Sequence, residues 1–195
     1  MAKNKRKIPD VSVTQSNIPE QQPLPLKSDF NFFPYYPRWI NTTDSFYKKY
    51  NFTNKLKNAE EFSNNITEIT TVFLPKLYQD FSNIFNPAKH YGNCHPVAKE
   101  KVELVEKISR EIHGSDIEKI DFELLNENRF EWWYLGFIGS TRLVGLYDGD
   151  SYRFYPMFID HHHLIHLNDH FNQSDYERYG FCPVMKYEQN NIPSK

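Results

Sequence analysis

The sequence predicts an α+β fold in which N-terminal helices pack on a small antiparallel β-sheet, with a disordered N-terminal arm. Three observations carry this. Apolar residues recur at intervals of three or four over residues 57–85 and again over 97–112, the stripe of an amphipathic helix. The stretch 129–166 then changes to extended, aromatic-rich runs divided by Asp148-Gly149-Asp150, a hairpin signature. Helix, helix and then strands is an α+β order.

In chain order, residues 1–28 open with Lys3, Lys5, Arg6 and Lys7 and pass through Pro9, Pro19, Pro23 and Pro25, so no periodic apolar face forms and a disordered arm is expected. Residues 29–56 are expected to form an aromatic strap, broken by Pro34 and Pro37, that lies across a domain or docks a partner. Residues 57–195 are expected to form a single α+β domain, with helices over 57–113, a sheet over 117–166 and a C-terminal loop region over 167–195.

Phe62, Ile66, Ile69, Phe73, Leu77 and Phe81 make the first stripe, which Pro75 should kink or divide and Asn86-Pro87 should close. Pro96, suited to a first turn, announces the second helix, with Val97, Val102, Val105, Ile108 and Ile112 inside and Gly114 as the stop. Ile117 to Leu125 permits a first strand, with a turn at Asn126-Glu127-Asn128. Phe130 to Ile138 is apolar on both alternating sets, as in a central strand covered on both faces. Thr141 to Tyr147 and Ser151 to Asp160 are the two hairpin strands, and the Asp-Gly turn between them can take positive φ. Gly180 and Pro183 should keep the C-terminal region free of long elements.

At 39% hydrophobic and 16% aromatic with seven glycines, the core is built from Phe and Tyr, and part of the chain is left unpacked. A formal charge of −2 gives no global attraction for nucleic acid. Two distant cysteines, Cys94 and Cys182, with no signal peptide and no run of about 18 apolar residues, lead us to expect a soluble cytoplasmic protein without a membrane partner.

The reactive side chains gather where the last strand ends. Cleavage of RNA through its 2′-hydroxyl needs a base, an acid and a cation, and no metal. Asp160, His161 and His162 can supply acid and base, and Arg142 the cation, because pairing across the turn places Thr141 to Leu143 opposite roughly Met157 to Asp160. Arg153 is seven residues from Asp160, roughly 23 Å along a strand, too far to share one phosphate, and is a binding candidate instead. Tyr155 belongs to an aromatic series that could stack bases, although interior packing is the default for residues inside strands. Tyr35 and Tyr36 are candidates for an interface. His161, His162, His163 and His166 have imidazoles suited to a metal, but strand alternation lets His161 and His163 share one without His162; ordinary histidines are the default, and no metal or other cofactor is expected.

Two helices before antiparallel strands, the hairpin LVGLYDGDSYRFYPMFID and the ending FIDHHHLIH together resemble the RelE/HigB-type superfamily of bacterial toxins over residues 97–166. The resemblance implies a small interferase-like fold, RNA or the ribosome as target, an antitoxin or host factor as protein partner, and a bacterial or mobile-element source. The expected function is accordingly a toxin-like protein acting on RNA. The alternatives are a non-enzymatic interaction module, such as a phage-borne inhibitor docking through its aromatic strap, and a histidine metal-binding protein.

Overall fold

The structure, a computed structural model, describes residues 29–43, 52–114, 130–166 and 179–191. The expected arm over 1–28, the strand over 117–125 and the turn after it lie outside the described residues.

The first apolar stripe folds as a helix opened by a reciprocal cap. The Asn58 side chain accepts from the Glu61 N–H at 2.9 Å, and Glu61 Oε2 accepts from the Lys57 N–H at 2.6 Å. Helix α1 (Ala59–Glu68) runs into a π-helical turn (Ile69–Phe73) and continues as α2 (Leu74–Ile84). The break expected at Pro75 takes this form: the turn before it widens, and the proline, which has no N–H, stands in the first turn of α2. Thr70 and Thr71 assist, their hydroxyls donating back to the carbonyls of Ile66 and Thr67.

Helix α3 (Lys99–His113) ends at Gly114, whose φ of 57° favours glycine. Pro96 does not start it. His95–Pro96 is strand β2, paired with Trp133 and Tyr134 of β3 (Phe130–Leu135), and the helix opens only after Val97 has donated to the Trp132 carbonyl at 2.8 Å.

Strands β1 (Asn31–Phe32), β4 (Arg142–Asp148) and β5 (Arg153–Asp160) complete a mixed sheet in the order β1-β5-β4-β3-β2. All described neighbours are antiparallel except β1 and β5, so part of the aromatic strap serves as a parallel edge strand. The α+β expectation holds, with helices on both faces of the sheet. Ile69, Phe73, Leu77 and Ile84 pack on Trp133, Leu135, Leu143, Phe154 and Ile159. On the other face Val105, Ile108 and Ile112 pack on Trp132, Tyr134, Val144, Leu146 and Phe158. The two alternating sets of β3 are therefore both buried, as its sequence requires, while the middle place in the sheet belongs to the wholly buried β4.

Pairing across the hairpin sets Arg142 opposite Asp160 and Leu143 opposite Ile159, the expected register. A slip at Val144/Gly145 leaves Met157 unpaired beside Pro156, which cannot donate to the ladder. Gly145 is needed there: a Cβ would lie 2.3 Å from the Tyr155 carbonyl oxygen. The turn is longer than the Asp-Gly pair suggests. Asp148 pairs with Arg153, its side chain accepts from the N–H groups of Asp150 and Ser151 and from the Ser151 hydroxyl, and the positive φ falls on Tyr152 at 52°.

A helix, α4 (Pro183–Asn191), stands where a loop was expected, because Pro183 takes a first-turn position instead of blocking the helix. Just before it, Phe181 and Leu56 exchange backbone hydrogen bonds at 2.9 and 3.0 Å. No helix among the described residues is long and apolar enough to cross a membrane.

Candidate functional site

The chain reverses as β5 ends, and Asp160 holds that reversal. Its carboxylate is fully buried. Oδ1 accepts from the N–H groups of His162 (3.3 Å) and Leu164 (2.9 Å), and Oδ2 from the Ile165 N–H and the Tyr134 hydroxyl (both 2.9 Å). Four donors compensate the burial of this charge. Burial, followed by the Asp160 charge, pushes the Tyr134 hydroxyl well above the ordinary tyrosine range, so it stays a donor.

His161 and His162 leave the reversal on tethers. Asn65 Nδ2 of α1 donates to His161 Nδ1 at 2.8 Å, and the His161 carbonyl accepts from the Ser140 hydroxyl at 3.1 Å. Burial, then the neighbouring His162, lowers the His161 pKa to about 3, so the ring is neutral. His162 Nε2 donates to the Lys55 carbonyl at 2.7 Å, and its ring lies 5.4 Å from that of Tyr179.

His163, with a φ of 58°, turns the other way, so the strand-alternation argument for a His161–His163 pair does not apply: the strand has ended at Asp160. Its ring lies 5.8 Å from Tyr134, which also meets His166 at 4.8 Å and His95 at 5.5 Å, with His95 and His166 4.9 Å apart. Three imidazoles thus surround one phenol. Burial lowers the pKa of His163 and, with the charges of His95 and His163, that of His166 to about 4. Among the described residues no group of three or more His, Cys, Asp or Glu is placed to hold a metal ion.

Arg142 is 6% exposed. Its Nη1 donates to the carbonyls of Gly139 (2.8 Å) and Thr141 (2.9 Å), bracing the β3–β4 connection. Gly136 makes room for it, since a Cβ there would lie 2.5 Å from Arg142 Cδ and Nε. The Arg142 Nε and Glu68 Oε1 are both buried without a hydrogen-bond partner among the described residues. Burial raises the Glu68 pKa, against the opposing pull of a Thr141 hydrogen bond and the Arg142 charge.

At the opposite end of β5 the binding candidates meet. Phe33 joins them: its ring stacks on Tyr35 at 5.8 Å and 15°, stands edge-on to Tyr155 at 5.6 Å, and has the Arg153 guanidinium 5.9 Å away. Tyr35 meets Tyr36 at 5.1 Å, and Tyr36 meets His113 at 5.4 Å. Tyr35 is 64% exposed and Phe33 37%. Tyr155 is half-buried in this rim and does not lie in the core interior. Arg153 pairs in register with Asn31 and Asp148, far from Asp160.

The predicted residues therefore divide into two places. Arg142, Asp160, His161 and His162 share one end of the sheet, where each holds backbone or a neighbouring side chain. Tyr35, Tyr36, Tyr155 and Arg153 share the other, exposed end. Sequence reasoning missed Tyr134 and Glu68, which lie inside ordinary strand and helix patterns and carry no signal of their own. It also missed Phe33, which the run Phe32-Phe33-Pro34-Tyr35-Tyr36 could have shown, since Pro34 leaves no regular element to bury all four rings.

Residues 35–189 match the family described as "Uncharacterised protein UU032", and the chain belongs to that family. It is 25% identical over 188 residues to "Uncharacterized protein UU032" of Ureaplasma parvum serovar 3 (strain ATCC 700970), covering 96% of this chain and 95% of that relative. No solved structure matches. This membership corrects the RelE/HigB resemblance: the match takes in the aromatic segment and the C-terminal helix as well as the hairpin, and no comparison leads to those toxins.

Proposed function

We propose that this protein is a non-enzymatic interaction module that docks a partner through the aromatic rim of Phe33, Tyr35, Tyr36 and Tyr155, with Arg153 at its edge. One observation carries the reading: the binding candidates converge on an exposed corner, while every catalytic candidate is engaged in holding the fold. Stacked tyrosine and phenylalanine beside arginine is the composition of interface anchors. The buried, unbridged Cys94 and Cys182 fit a cytoplasmic setting. The test is retention of a partner from lysate of the source cells, with and without ribonuclease, by wild type and by a Phe33→Ala/Tyr35→Ala variant of unchanged Tm. Loss of the retained partner in the variant supports docking at the rim, and equal retention contradicts it.

A second reading, metal-independent acid–base chemistry on RNA, is favoured by Glu68 and Arg142. A carboxyl with a raised pKa and an unpartnered oxygen, beside a guanidinium with an unpartnered Nε, is the kind of perturbed pair that serves as base and cation. Here Glu68 would take the 2′-hydroxyl proton, Arg142 would offset the charge that develops on the phosphate, and water would protonate the leaving oxygen. RNA cleavage by the wild type that is lost in Glu68→Gln, at unchanged Tm, supports this reading, and a wild type that leaves RNA intact removes it.

A further inference from the structure

We propose that Leu164–His166 is an acid-released latch: protonation of His163 and His166 frees this segment from Asp160 while the sheet stays folded. Three features of the turn after β5 carry the proposal.

The first is what surrounds the two rings. His163 and His166 stand against Tyr134 of β3 at 5.8 and 4.8 Å, and His95 of β2 lies 4.9 Å from His166. The charge of Arg142 from β4 opposes a proton on His163, that of Lys101 from α3 opposes one on His166, and His95 opposes both. Among the described residues, Asp160 of β5 is the carboxylate whose charge favours protonation of either ring. Its oxygens already take four donors, the Tyr134 hydroxyl and the N–H groups of His162, Leu164 and Ile165. His166 Nε2 is itself buried without a hydrogen-bond partner among the described residues. A proton added to the closed cluster therefore meets cations and no open acceptor, whereas water solvates it once the rings swing out.

The second is the path of the chain. His161 is tethered to Asn65 and His162 to the Lys55 carbonyl, so the turn is fixed on that side. His163 then takes a φ of 58°, uncommon for a side chain other than glycine, and the hinge falls there. Beyond it the segment is held by the Leu164 and Ile165 N–H groups on Asp160 and by burial of both side chains in the α3-side core. These holds keep it closed near neutral pH. Losing them breaks none of the pairing among β3, β4 and β5, so the opening is local.

The third is access. His161 is buried, whereas His163 and His166 are partly exposed, so protons reach the latch without unfolding of the domain. Burial and the neighbouring charges lower the His166 pKa to about 4 in the closed turn, against 6.5 for an ordinary imidazole. The open turn binds the proton more tightly, so opening grows as pH falls below about 6.5 and levels off near pH 4. His166 alone raises the opening constant about 30-fold between pH 7.5 and 5.0, and His163, lowered in the same direction, adds to it.

The test is native-state hydrogen exchange on the full chain, read residue by residue by NMR at about pH 7.5, 6.0 and 5.0, each rate divided by that of an unstructured amide at the same pH. The Leu164 and Ile165 amides report the latch, and those of Leu143 and Leu146 in the wholly buried β4 report the whole fold. The expected result is a Leu164 and Ile165 opening constant that exceeds that of Leu143 and Leu146 at every pH and rises about 30-fold or more between pH 7.5 and 5.0. His166→Gln should remove about 30-fold of that rise, and His163→Asn, a residue type that tolerates positive φ, should remove a smaller part. Opening of Leu164 and Ile165 with the same constant as Leu143 and Leu146 would overturn the proposal, because acid would then act only through global unfolding. A constant that does not rise in acid, or a rise that both variants leave unaltered, would overturn it as well.

Discussion

The Tyr134 hydroxyl donates to Oδ2 of Asp160 at 2.9 Å, joining the second strand from one edge of the sheet to the reversal that ends β5. Asp160 receives three backbone N–H groups as well, so its carboxylate is the hub of residues 160–165. Asp160→Asn keeps the volume but turns one acceptor oxygen into a donor facing other donors. It should destabilise the protein by about 2–3 kcal/mol, measured by urea unfolding. Tyr134→Phe removes one donor of four and should cost about 1 kcal/mol. An Asp160→Asn variant as stable as wild type would mean that the hub is not what holds the reversal.

The histidines give the protein a pH dependence of definite sign. His161 and His166 have folded pKa values depressed to about 3 and about 4, against 6.5 for an ordinary imidazole. Between those values the unfolded chain holds more protons than the folded one, so the stability present above about pH 6.5 is lost as pH falls. His161, the more deeply buried, should contribute a slope of about 1 kcal/mol per pH unit between roughly pH 6 and 4. His166, less deeply buried and with the smaller depression, should contribute less. His161→Gln, whose amide can meet Asn65 without titrating, should be measurably less acid-sensitive than wild type. Identical pH profiles for the two would contradict the assignment.

Two glycines should respond to a methyl group in a fixed order. At Gly145 the added carbon meets the Tyr155 carbonyl oxygen of the neighbouring strand at 2.3 Å, which cannot withdraw without separating β4 from β5, and also the buried Phe154 ring at 2.6 Å. At Gly136 it meets the Arg142 side chain, which has rotatable bonds. Gly136→Ala should cost about 1–3 kcal/mol, as overpacking does, and Gly145→Ala more, with a correspondingly larger fall in Tm. The reverse order would place the rigid contact at the wrong glycine.

Much of the fold could be read from period and punctuation. The stripe Ile69, Phe73, Leu77 names the helical face that is buried, and the doubled apolar sets of Trp132/Tyr134 and Trp133/Leu135 state that the sheet is covered on both sides. The turn set the register only roughly: counted from Asp148 opposite Arg153, Arg142 would face Ile159, and the slip at Val144/Gly145 moves it opposite Asp160. What escaped was the role of two prolines: Pro96 extends a strand because β3 is beside it, and Pro183 opens a helix because the first turn needs no N–H from it. The site was legible in membership more than in role. Asp160, His161 and His162 do come together with Arg142, but spacing could not reveal that backbone N–H groups and Lys55, Asn65 and Tyr134 already occupy them. The rim was legible as aromatic excess around Pro34, while its meeting with Tyr155 and Arg153 depends on the parallel pairing of β1 with β5, which no local pattern encodes.

The working surface can be located most directly by site-specific photocrosslinking in the source cells. A photoreactive phenylalanine would replace Tyr35 in one variant and Ile138, also an exposed residue but at the far end of the sheet, in another. The account predicts a discrete adduct from position 35 on irradiation and none from position 138. Adducts from position 138 with none from position 35 would contradict it.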